Sequence, residues 1–271
     1  NIAIGQYAGY SLTSGIHNTL IGSSAGYSHT NQEYNVMIGT AAGYHINAWG
    51  WSGSFNTFLG INAGYAIRNS RDNTFLGTNA GYFLDNGSGN TFVGIDAGRS
   101  GYDPYPSWVP REHQASNNTF LGCKAGYHIL DGNNNVAIGS MAGMSNTTGS
   151  GNIFIGTEAG SEEQGSNKLY IANSGETPPL VFGDFADKRF GINTTDLTKT
   201  LNVGGDVKVT GNIEATTVSG NLEGNLNNIE IHAFRHDHDT TIVSIFSNLL
   251  KLTYNFEEQK MIHETKKILN N

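Results

Sequence analysis

The chain has little of three things: cysteine, charge and long apolar runs. One cysteine in 271 residues, Cys123, excludes a disulfide scaffold and a cysteine-rich zinc site. No stretch of 18 or more apolar residues occurs, which excludes a helix that crosses a membrane. Charged residues are 14% of the chain, against the usual quarter or so. The net charge of -8 lacks the basic stripe of a nucleic-acid binder. Proline is scarce too: three of the five stand at Pro104, Pro106 and Pro110. There is no Gly-X-Y period, so the abundant glycine is not that of collagen. The chain begins at Asn1 inside a repeated pattern and shows no signal segment, so it is expected to be a fragment of a longer protein.

What is plentiful is glycine, and it is periodic. A ten-residue block, Asn-Thr-Phe-Leu-Gly-x-x-Ala-Gly-Tyr in consensus, starts at Asn1, Asn18, Asn35, Asn56, Asn73, Asn90, Asn118, Asn135 and Asn152. The period is 17, with one insertion of 4 and one of 11. Asn at position 1, Gly at 5, Ala at 8 and Gly at 9 are identical in all nine copies, and these glycines are 18 of the 36. Fixed self-similarity at this length is the signature of stacked repeats.

Each position has a physical reading. Position 4 is always aliphatic and position 3 is mostly Phe: Phe58, Phe75, Phe92, Phe120 and Phe154. Neighbours in a strand point to opposite faces, so both faces of this short strand are apolar and call for burial. One face fills the coil's own core and the other meets something else. The Phe stripe is expected on the outward face, buried by oligomerisation around a common axis. Ala at position 8 suits a cramped interior, and the glycines suit sharp corners or close backbone approach. Asn at position 1 suits a stacked amide ladder. The expected fold class is mainly β: a β-solenoid or β-roll of about nine coils over residues 1–166, stacked at strand spacing.

Blocks such as Asn73-Thr-Phe-Leu-Gly-Thr-Asn-Ala-Gly-Tyr82 resemble the head repeats of trimeric autotransporter adhesins. They are also similar to repeats of phage-type trimeric tail-fibre proteins. The resemblance covers about 160 residues. It implies a left-handed parallel β-roll, a homotrimer, and an extracellular place on a virion, a related particle or a cell surface.

The two interruptions of the period, at about 45–55 and 100–117, contain all three tryptophans, Trp49, Trp51 and Trp108, with Tyr102, Tyr105 and Arg111. Both follow the same point of the repeat, three coils apart, so they leave one edge about 14 Å from each other. Aromatic side chains on stiff loops give flat contact area at low entropy cost. Trp49, Trp51, Tyr102, Tyr105, Trp108 and Arg111 are therefore candidate ligand contacts for a host-surface polysaccharide or receptor protein. The competing reading is that these rings cap the rod or pack between subunits. Asp103 and Glu112 offer a carboxylate pair of the glycosidase type, but nothing sets their spacing, and no enzyme activity is expected.

Beyond residue 160 the character changes: 25 of the 38 charged residues lie in the last 111 positions. Residues 167–228 read as a neck and thin β shaft. Asn167–Ile171 is expected to close the solenoid, and Leu180–Phe185 with Arg189–Ile192 to form two strands around a turn. In residues 229–271, His236 and His238 share one side of an extended strand. Two ligands are few; three chains about an axis would bring six. The resemblance to some phage fibres implies a transition-metal ion there, iron-like and octahedral, and imidazole suits such metals. The competing reading is of solvated polar residues. Ile242, Ile245, Leu249, Leu252 and Phe256 fall at the spacing of a short C-terminal helix, which would clamp the trimer or dock onto other fibre or particle proteins.

Overall fold

The computed structural model describes residues 1–46, 53–84, 86–100, 114–210, and beyond them 245–247, 250–255 and 260–263. The chain divides into two units, Asn1–Lys208 and Val209–Asn271.

In the first unit, positions 2–4 of every repeat form a three-residue strand: Ile2–Ile4, Thr19–Ile21, Val36–Ile38, Thr57–Leu59, Thr74–Leu76, Thr91–Val93, Thr119–Leu121, Val136–Ile138 and Ile153–Ile155. The nine pair in parallel in chain order, each repeat position on its own equivalent. The chain is thus a β-solenoid of about nine coils. A second parallel sheet joins His45–Ile46, Ala66–Ile67 and Phe83–Leu84, the residues just after position 10 in three coils.

The direction of the strand faces corrects the sequence expectation. The Phe stripe points inward: Phe58, Phe75, Phe92, Phe120 and Phe154 are buried, alongside Leu20 and Met37 at the same position. Four of these rings stack in one column at 4.8–5.0 Å between centroids. The outward stripe is the aliphatic position 4, with Leu59, Leu121, Ile138 and Ile155 exposed. The small residues across the coil explain the choice. A Cβ on Gly81 would collide with the Phe75 ring, so Ala at 8 and Gly at 9 leave the space a phenyl ring fills.

Glycine at position 5 has a different reason. Gly77 sits at φ +137°, and a Cβ there would lie 2.5 Å from the carbonyl oxygen of Gly94 one coil on. The corner is too tight for any side chain.

The amide ladder is present and buried. The Oδ1 of Asn73 accepts the backbone N–H of Asn90 at 2.9 Å, and Asn90 does the same for Asn118 at 2.9 Å. In every coil but that of Asn35 the Nδ2 then donates across the coil, as Asn73 does to the Gly87 carbonyl at 2.9 Å. These bonds satisfy polar groups that the apolar core beside them cannot.

The insertions do not interrupt the stack. Thr91–Val93 pairs with Thr119–Leu121 across the longer one. At the far end, Lys168–Ile171 pairs in parallel with Ile153–Ile155, then in antiparallel with Val181–Asp184. Val181–Asp184 and Arg189–Ile192 form the expected hairpin, and Leu201–Val203 follows in parallel with the latter. An ion pair from Lys168 Nζ to Asp184 at 2.6 Å pins the hairpin to the last rung.

In the second unit, Ile245–Ser247, Leu250–Asn255 and Lys260–His263 form an antiparallel sheet. These strands fall in the stretch expected as a C-terminal helix, an expectation that the described residues leave untested. Leu250-Lys251-Leu252-Thr253 alternates apolar and polar, the period of a strand. The rest of that stretch, and residues 211–228 of the expected shaft, lie outside the described residues.

Candidate functional site: the tyrosine ladder between the insertions

Position 10 is Tyr in six of nine coils, and the stack aligns these residues into a ladder on one corner. Tyr10, Tyr27, Tyr44, Tyr65 and Tyr82 stack at 4.8–5.1 Å with their planes 5–8° apart. Spacing at the strand repeat, with near-parallel planes, follows from the parallel in-register sheet beside them. The next rung is Arg99. Its guanidinium lies 5.6 Å from the Tyr82 ring and 5.5 Å from the Tyr127 ring, and its Nη1 donates to the Tyr127 hydroxyl. A planar cation between two ring faces continues the ladder where a tyrosine is missing. Lys124 sits 6.0 Å from the centre of the Tyr127 ring.

Both insertions are rooted on this ladder. The first leaves after Tyr44 and His45, whose rings meet edge to face at 4.5 Å. It returns at Ser54 and Phe55, where Phe55 stacks on Tyr34 at 5.1 Å and its N–H donates to the Glu33 carbonyl at 3.1 Å. The second leaves after Arg99 and the buried Ser100. It returns at Gln114–Ser116, where the Ser116 N–H donates to Asn133 Oδ1 at 2.8 Å. The described roots of both insertions stand next to position 10 of their repeats, at Tyr44 and Arg99. Tyr65 and Tyr82 are the rungs between them.

Trp49, Trp51, Tyr102, Tyr105, Trp108 and Arg111, with Asp103 and Glu112, lie outside the described residues. So do His236 and His238. The ladder itself was overlooked in the sequence, although recurrence at position 10 was its signal: in a parallel stack, the same position in consecutive coils becomes a column.

The electrostatics of the corner follow from partial burial. The Tyr65 hydroxyl is held above its usual pKa by burial, then by Tyr82 and Tyr44. Burial first, and then the Arg68 charge, push His45 down. Burial, and then Arg99, do the same for His128. At neutral pH both imidazoles are uncharged, and the positive charge of the corner rests on arginine and lysine.

A different feature closes the solenoid. A cavity of about 680 Å³ is lined by Glu158, Glu162, Glu163, Glu176 and Tyr170. Glu163 accepts the Tyr170 hydroxyl at 2.7 Å and the Gly165 N–H at 2.6 Å. Glu158 accepts the Gly175 N–H at 3.3 Å. These carboxylates hold the closing turns, and burial together with Glu163 raises the Tyr170 pKa.

Comparison of the chain with known protein families, curated proteins and solved structures finds no match.

Proposed function

We propose that the chain is the rigid repeat domain of a homotrimeric attachment fibre of the phage-type tail-fibre kind. It binds a host-surface glycan or protein through its aromatic insertions, outside the cell and on a particle. The observation that carries this reading is the outward face of the long sheet. Positions 2, 4 and 6 of nine coils hold 27 residues, and none is charged. Nine rungs make a face roughly 43 Å long. Exposed Leu59, Ile61, Ile95, Leu121, Ile138 and Ile155 form a continuous patch rather than scattered single residues, and such patches mark contact surfaces. A surface that repeats at every coil is met in register by another with the same rise, which is a copy of itself.

Three copies would present the insertions three times. Equivalent weak sites on one rigid body gain avidity without tight single sites. The role is binding rather than turnover.

The test is cell-surface attachment by the chain with Trp49, Trp51 and Trp108 replaced by Ala, with its mass measured in solution. Loss of attachment at an unchanged mass of three chains is expected. Unchanged attachment by an assembled trimer would leave a purely structural rod. A native mass of one chain would overturn the trimer.

A further inference from the structure

We propose that the row Tyr44, Tyr65, Tyr82 and Arg99 is a binding track for an extended acidic polysaccharide laid along the coil axis. This rests on the attachment reading and names the ligand class of that edge.

The stacking decides what the tyrosines offer. With planes 5–8° apart at 4.8–5.1 Å, each ring face is covered by its neighbour. The faces that would stack on a sugar are already occupied. What remains of these half-buried rings is the edge, and each edge brings a phenolic hydroxyl. One polar group per rung, at a constant step, is a linear array. A ligand that engages several rungs must itself be extended and must carry polar groups at intervals along its length. A chain of sugars meets that description, whereas a compact ligand would reach only a rung or two. Between the two insertion roots the array spans three steps, about 14 Å.

Charge decides which polysaccharide. The first 160 residues contain five Lys and Arg, and two of them, Arg99 and Lys124, stand on the ladder. Arg99 is a rung of the ladder, and Lys124 lies over Tyr127. Asp96, 3.6 Å from Arg99 Nε, offsets one of them. Arg99 and Lys124 thus put cationic groups along the ladder of a chain of net charge -8. Arg99 is fixed between two rings by its Nη1 bond to the Tyr127 hydroxyl, and a guanidinium held in place is a good partner for a carboxylate. Repulsion from the rest of the protein disfavours an acidic chain elsewhere, so binding is confined to the ladder.

The experiment measures binding of polygalacturonate oligosaccharides to the full chain by calorimetry, with the fully methyl-esterified oligosaccharides as the neutral counterpart. The acid is expected to bind at least about tenfold more tightly than the ester, and more weakly as salt rises. Tyr65→Phe with Tyr82→Phe retains the stack and removes two hydroxyls; it should weaken the acid several-fold at an unchanged far-ultraviolet spectrum. Arg99→Gln should bring acid and ester close together. Equal binding of acid and ester, no binding of either, or affinities indifferent to both variants would overturn the track. Attachment to cells by a chain that ignores polygalacturonate would sink the track alone. Ladder-dependent binding of the acid by a chain that does not attach would sink the attachment reading and leave the track standing.

Discussion

Asn73 and Asn90 are joined twice, seventeen residues apart. The Oδ1 of Asn73 accepts the backbone N–H of Asn90 at 2.9 Å and its side-chain Nδ2 at 3.1 Å. Both residues are buried, and the same bonding recurs from coil to coil. The ladder is therefore a continuous polar column along one side of an apolar core, and its members depend on each other.

Replacing Asn73 with Leu should be costly for that reason. The Asn90 N–H and the Gly87 carbonyl lose their partners where water does not reach, at about 1–3 kcal/mol for each group left unpaired. Asn73→Asp retains the acceptor but turns an oxygen toward the Gly87 carbonyl. Its loss should be partly relieved as pH falls and the carboxyl protonates. Urea denaturation of both variants at pH 7 and pH 4 measures this.

Phe75 and Leu76 are adjacent and should respond in opposite ways. Phe75→Ala empties a buried site in the ring column and should lose about 3–5 kcal/mol. Leu76→Asp, on the outward side, should leave the stability of the single chain little changed while reducing the mass in solution. Denaturation and light scattering on the pair separate core from contact face.

Stability should fall as the solution is acidified, because of His29. It occupies the point of the coil that holds Leu84 or Ile129 elsewhere, fully buried. Its Nε2 lies 3.3 Å from Asn18 Oδ1 and 3.2 Å from Asn35 Nδ2. Burial pushes its pKa down to about 4. Between its unfolded value near 6.5 and about 4, the unfolded chain takes up a proton that the folded chain refuses. Stability present above pH 6.5 is thus lost as pH falls toward 4, by about 3 kcal/mol in full. His29→Leu should flatten that part of the profile. A difference in melting temperature between the two proteins that does not change over pH 7 to 4 would refute it.

Cys123 reports on the outward face. It is exposed at position 6, two residues from Leu121 on the uncharged side. In a self-associated form it should react with iodoacetamide at least several-fold more slowly than in the Leu121→Asp variant. Equal rates in an assembled protein would place the contact on another face. Mass spectrometry of timed samples reads the rates.

Much of this molecule was legible without a structure. Nine copies of Asn, Gly, Ala and Gly at constant spacing imply identical coils, and identical coils can satisfy their backbone only by stacking in register. The closing strand after Asn167 and the hairpin near Leu180 followed from local patterns. Sequence alternation alone left open which apolar stripe enters the core. Phe and Leu are both hydrophobic, and period two says only that they part. The decision lies across the coil, where Ala80 and Gly81 leave room for the Phe75 ring, and that is a tertiary contact. The tyrosine ladder is similar: position 10 is written in the sequence, but ring-to-ring distance exists only once the rise per coil is set. Arg99 shows the limit most plainly. As a sequence feature it is a lost tyrosine; in the fold it is a cation between two rings, because stacking made its neighbours the rungs above and below rather than Gly98 and Ser100.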